Sequence, residues 1–213
     1  MTRVKICGIT DADDARDAVL LGADAIGLNF YEKSPRYIDA SRAAAIIETI
    51  PAFVSVVGVF VNHPNPQGLE DFALSLGLHA VQLHGNESPD YCSMIQRVKV
   101  IKAMRIDSAF KVESLRSFGY RMFLLDSGTP AKFGGTGQTF DWNQAYGANA
   151  FGSIIVAGGL NPDNVAEAVT RLHPFAVDVS SGVESQPGKK NYDKMRRFIE
   201  AVRRVDVALL GET

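Results

Sequence analysis

One local pattern recurs along the chain about eight times: a short apolar run, a turn, then a stretch with apolar residues at helical spacing. The runs read as strands are Val4 to Cys7, Ala25 to Phe30, Phe53 to Val61, Ala80 to Leu83, Val100 to Met104, Met122 to Leu125, Ser153 to Val156 and Ala176 to Val179. The stretches between them read as helices: Asp11 to Leu21, Ser41 to Ile50 with Ser41 as N-cap, Pro66 to Leu76, Ser88 to Val98 and Ser108 to Phe118, then a short Asp141 to Ala145, Asn161 to Leu172 with Asn161 as N-cap and Pro162 at the first helical position, and Asn191 to about Leu209. Continuous apolar runs suit strands buried on both faces, as in parallel sheets. Doubly wound sheets usually stop at five or six strands. Eight units of roughly 27 residues therefore predict a single-domain α/β protein, a (β/α)8 TIM barrel of eight parallel strands near the short end of its size range. No linker or composition shift divides residues 1–213.

Composition narrows the partners. A net charge of −2 provides no basic field for nucleic acid or an anionic membrane. No apolar run approaches the ~18 residues of a membrane span, and the N-terminus reads at once as a strand rather than a signal peptide. Two cysteines, Cys7 and Cys92, are too few for a disulfide framework, which suggests free thiols in a reducing cytoplasm. The expected partner is a small molecule, and the chain is compatible with a monomer or a homodimer.

In a barrel, chemistry gathers at the C-terminal ends of the strands, and alternation along each strand separates inward from outward side chains. With Val4, Ile6, Val81, Leu83, Phe123, Leu125, Val177 and Val179 facing the helices, Lys5, Cys7, Gln82, His84, Leu124, Asp126, Asp178 and Ser180 point inward. Cys7, His84, Asp126 and Ser180 then share one rim, which is hard to read as packing alone. Ala157-Gly158-Gly159 follows the seventh strand and Ser180-Ser181-Gly182 the eighth. These are the loops that commonly hold phosphate in such barrels, through backbone N–H groups and a short helix N-terminus. Arg36, in Ser34-Pro35-Arg36-Tyr37 after the second strand, offers a planar guanidinium suited to a carboxylate. The segment Thr129 to Gly137, with Gly134-Gly135-Thr136-Gly137, reads as a lid. His63, His79 and His173 show no metal-ligand spacing.

With these residues in place, the sequence resembles phosphoribosylanthranilate isomerases of tryptophan biosynthesis. The resemblance rests on Lys5-Ile6-Cys7-Gly8-Ile9, Gly27-Leu28-Asn29-Phe30 with Ser34-Pro35-Arg36, Gln82-Leu83-His84-Gly85, Leu125-Asp126, Gly134-Gly135-Thr136-Gly137 with Phe140-Asp141-Trp142, Ala157-Gly158-Gly159-Leu160, and Val177-Asp178-Val179-Ser180-Ser181-Gly182-Val183-Glu184. It implies an Amadori rearrangement of an aminoaldose phosphosugar, with Asp126 as general acid and Cys7 as general base. It also implies that Arg36 takes the anthranilate carboxylate and that Gly158, Gly159, Ser180, Ser181 and Gly182 surround the phosphate. Gln82, His84, Gly135 and Asp178 complete the substrate site, and no metal or organic cofactor is required. On this reading Asp178 is a candidate for keeping Asp126 protonated, and nearby positive charge for making Cys7 a thiolate. Where the family has Gly-x-Lys-Asp, this chain has Gly188-Lys189-Lys190-Asn191, and Asn caps a helix about as well as Asp. The histidine-pathway barrel isomerase performs the same rearrangement with an Asp pair and a repeated phosphate motif. Here the first strand offers Cys7, and one glycine-rich phosphate end is visible. A catalytically silent sugar-phosphate barrel would be free to lose the acid or the base; candidates for both are present.

Overall fold

The computed structural model describes residues 1–119, 122–127 and 141–211. Eight parallel strands close on themselves in sequence order: β1 (Arg3–Cys7), β2 (Ala25–Asn29), β3 (Ser55–Phe60), β4 (Ala80–Leu83), β5 (Lys99–Arg105), β6 (Met122–Asp126), β7 (Ser153–Val156) and β8 (Ala176–Val179). Helices α1 (Ala12–Leu20), α2 (Ala40–Ile47), α3 (Pro66–Ser75), α4 (Pro89–Ser93), α5 (Val165–Leu172) and α6 (Tyr192–Gly211) lie between or after the strands. Among the described residues, no helix is long and apolar enough to cross a membrane.

Alternation divides the core in two. Val4, Ile6, Val81, Leu83, Phe123, Leu125, Val177 and Val179 pack in the layer between sheet and helices. Val57, Ile101, Ala103, Leu124, Ile155, Ala157 and Ala176 form a separate apolar cluster, with the parity of inward barrel positions. A polar set is buried with it. Lys5 and Asp178 are register partners where β1 meets β8, and Lys5 Nζ donates to Asp178 Oδ1 at 2.6 Å and to Gln82 Oε1 at 2.9 Å. Burying an ammonium is tolerable only with such partners.

Several elements depart from the sequence reading. The N-cap of α2 is Asp39, not Ser41: the Asp39 carboxylate accepts from Arg42 N at 2.8 Å, combining a hydrogen bond with a favourable charge at the helix start. Helix α5 starts later than expected. Asn161 Oδ1 accepts from Asp163 N and Asn164 Oδ1 from Asn161 N, each at 2.8 Å, so Pro162 sits in a turn. After β5 the chain forms a 3-10 helix over Val112–Phe118 in place of an α-helix, with Leu115 its one buried residue, too little apolar burial to sustain regular turns. Trp142–Ala145 is likewise 3-10, capped by Asp141. A two-stranded hairpin, β9 (Glu184–Gln186) with β10 (Lys189–Lys190), fills the loop after β8. Asn191 does cap α6, accepting from Lys194 N at 2.9 Å.

Candidate active site

The C-terminal strand ends surround a cavity of ≈ 400 Å³. Cys7, Arg36, Gln82, His84, Asp126, Gly158, Gly159, Asp178, Ser180 and Ser181 all line it. Gly182 does not. It packs behind the wall, where an added Cβ would collide with the Leu160 carbonyl oxygen. Gly135 and the expected lid lie outside the described residues.

On one side stands Asp126, at the end of β6 and buried. Its Oδ2 meets His84 Nε2 at 2.9 Å, and His84 Nδ1 meets Gln82 Nε2 at 2.7 Å. Its Oδ1 lies beside Gly158, whose φ of +78° is costly for any residue with a side chain and whose added Cβ would stand 2.7 Å from that oxygen. Asp178, the carboxylate expected to help keep Asp126 protonated, lines the same cavity but is not a free charge. Its carboxylate is engaged by Lys5, which neutralises it locally.

Cys7 ends β1 and is buried. Burial pushes its thiol up, Asp178 adds to that, and the Lys5 and Lys190 ammoniums pull the other way without reversing the net rise. The expected positive potential is therefore present but outweighed in the free protein. Gly27, the register partner of Cys7 on β2, owes its identity to this corner: a Cβ there would come within 2.7 Å of Cys7 Sγ and 3.2 Å of Lys5 Cε.

Sequence reasoning assigned no role to Lys190 or Glu184. Glu184 Oε1 and Oε2 accept from Arg36 Nε at 2.8 Å and Nη2 at 2.7 Å, and Glu184 Oε1 also accepts from Lys190 Nζ at 2.8 Å. Burial opposes ionisation of Glu184, yet Arg36 and Lys190 hold its carboxyl below the usual range. Burial pulls the Lys190 ammonium down, although Glu184 opposes this. One edge of the Arg36 guanidinium is thus occupied, and no described residue hydrogen-bonds Nη1. The available signal for Glu184 and Lys190 was their place in the loop after β8, where barrels gather function. Ser180 Oγ is buried with no hydrogen-bond partner among the described residues.

These features agree with what comparison with known proteins shows. A family model described as N-(5'-phosphoribosyl)anthranilate (PRA) isomerase matches residues 4–201. The N-(5'-phosphoribosyl)anthranilate isomerase of Citrifermentans bemidjiense is 50% identical over 205 residues, covering 96% of this chain and 98% of that one. Among solved structures, monomers generated from the dimeric phosphoribosylanthranilate isomerase of Thermotoga maritima are similar at a TM-score of 0.85 and 41% identity, covering 96% of this chain and 100% of that one. A phosphoribosylanthranilate isomerase in complex with reduced 1-(o-carboxyphenylamino)-1-deoxyribulose 5-phosphate is similar at a TM-score of 0.84 and 41% identity, with the same coverage. The inward carboxylate and thiol, the two glycine and serine loops and these whole-chain matches lead to one conclusion: the chain belongs to the N-(5'-phosphoribosyl)anthranilate isomerase family.

Proposed function

We infer that Asp126 and Cys7 are the acid and base with which this chain carries out the Amadori rearrangement of its family in tryptophan biosynthesis. N-(5-phosphoribosyl)anthranilate becomes 1-(2-carboxyphenylamino)-1-deoxyribulose 5-phosphate. The observation that carries these roles is that a histidine-bonded carboxylate and a thiol flanked by ammoniums line one cavity. Asp126 passes its proton to the ribose ring oxygen, and the C1–O bond breaks to leave an iminium. Cys7, as thiolate, then removes the C2 proton, and the C–H electrons flow into the iminium to give a neutral enolamine, which tautomerises to the ketone. The iminium is the electron sink. Because burial raises the Cys7 thiol, the base works from a minor thiolate population that Lys5 and Lys190 keep accessible.

The phosphate sits at the loops holding Gly158, Gly159, Ser180 and Ser181. The orphan Ser180 hydroxyl supports this, since a buried hydroxyl left without a partner costs about 1–3 kcal/mol, which a phosphate oxygen would recover. The anthranilate carboxylate meets the Nη1/Nη2 edge of Arg36, the edge that Glu184 leaves open. By likeness to the dimeric Thermotoga maritima relative, with Phe53 fully exposed just before β3, we propose a homodimer that works in the cytoplasm. Cys7→Ala and Asp126→Asn should each lower turnover at least ~100-fold, with little change in affinity for a product analogue. Near-wild-type turnover in either variant sinks that residue's role.

A further inference from the structure

Four side chains form a line from the barrel interior to the acid: Asp178, Lys5, Gln82 and His84, ending on Asp126. The direction of every hydrogen bond in this line is set by the Lys5 ammonium. An ammonium only donates, so the Gln82 atom facing Lys5 is the amide oxygen. The Gln82 atom facing His84 is then the amide nitrogen, which also only donates, so His84 Nδ1 accepts and carries no proton. The ring proton therefore sits on Nε2 and points at Asp126 Oδ2. An oxygen receiving that N–H cannot also direct its own proton into it. We propose that Lys5 and Gln82 are positioning residues that lock His84 as the Nε2–H tautomer, so that the proton Asp126 delivers resides on Oδ1, the oxygen beside Gly158. This rests on the reading of Asp126 as the acid, and it says which of its two oxygens does the work.

The charged or titratable groups along the line are His84 itself, Asp126 from β6, Lys5 and Cys7 from β1 and Asp178 from β8. Because Lys5 is buried and bonded to Asp178, its orientation toward Gln82 is not free to reverse. Burial works against the Lys5 charge, but Asp178 and Cys7 more than offset it, so Lys5 stays a donor throughout the working pH range.

The test is Gln82→Glu. It keeps the size of the side chain but turns the nitrogen into a second acceptor. Beside the Lys5 ammonium the new carboxyl is ionised and only accepts, so His84 Nδ1 must then carry a proton. If Nε2 loses its own, it draws the Asp126 proton onto Oδ2; if it keeps it, the imidazolium holds Asp126 ionised. Both outcomes remove the proton from Oδ1. Nitrogen-15 NMR of histidine-labelled protein at neutral pH, with His84 assigned by its loss in His84→Asn, should show Nδ1 bare and Nε2 protonated in the wild type. In Gln82→Glu, Nδ1 should be protonated and turnover about ten-fold lower or more, with KM little changed. A protonated Nδ1 in the wild type overturns the proposal. So does an unaltered nitrogen pattern in Gln82→Glu, or an altered one with wild-type turnover. If Gln82→Glu does not fold, the wild-type spectrum and Gln82→Met decide: the methionine variant should lose the single fixed tautomer, and retaining it refutes the lock. Wild-type turnover in Asp126→Asn would instead sink the acid assignment while leaving the nitrogen pattern as described.

Discussion

Replacing Glu184 with Gln should expose how the rim stores its charge. One carboxylate serves two cations there: Arg36, with a side chain 14% exposed, and Lys190, at 0%. Removing one partner of a buried ion pair costs about 3–5 kcal/mol, because the other charge is left unpaired. Lys190 sets an upper bound on its own share, since it can give up its proton instead. From an ordinary value of 10.5, neutralising it at pH 7 costs about 1.4 kcal/mol per unit over roughly 3.5 units, or ~5 kcal/mol. The bound falls to about 2 kcal/mol at pH 9. The sign follows from linkage: a lysine whose folded-state pKa is depressed penalises folding below its unfolded pKa, and the penalty fades as pH rises toward that value. Arg36 cannot deprotonate, but it is partly solvated, and Gln retains an acceptor for it. Urea unfolding of wild type and Glu184→Gln at both pH values is the assay. The expected loss is about 3–5 kcal/mol at pH 7, shrinking to about 2 kcal/mol at pH 9. A loss under ~1 kcal/mol at pH 7, or one that does not shrink at pH 9, refutes the argument that Lys190 is the uncompensated group.

Two further outcomes follow from the same rim. Arg36→Ala should weaken binding of a product analogue by about 10- to 150-fold, the worth of a charge-assisted hydrogen bond. An analogue lacking the carboxylate should bind both proteins alike, and an equal loss for both analogues would place the carboxylate elsewhere. The thiolate absorbance of Cys7, with Cys7→Ala as the blank to remove Cys92, should rise with a midpoint above the ordinary thiol value of 9.0. A midpoint below that value would mean the two ammoniums outweigh burial and Asp178.

The barrel and most of its rim were legible because they rest on alternation. Once Val4, Ile6, Val81 and Leu83 are read as facing the helices, Cys7, Gln82 and His84 can only face inward. Partnership is another matter. No sequence pattern pairs Asp178 with Lys5; the two meet because β8 closes against β1 and register puts them opposite each other. That pairing joins positions 173 apart, beyond any local pattern. Glu184 and Lys190 escaped assignment because the hairpin that carries them has no periodicity that says where it folds. The caps at Asp39 and around Asn164 show a finer limit: several residues nearby could cap, and the choice is made by which side chain reaches a free N–H.

The buried bond between Lys5 and Asp178 also imposes an order of events. A chain emerging from the ribosome has its first strand roughly 170 residues before the carboxylate that Lys5 needs. Until β8 is made, Lys5 can be kept out of water only at a cost of several kcal/mol, so an open sheet of the earlier strands keeps its first edge hydrated. The same delay holds just ahead of β1, where the buried Thr2 N and hydroxyl donate to Asp206 near the end of α6. Strand β1 is the first barrel strand to be made and among the last to be sealed, and the ion pair that seals it also orients the acid across the barrel.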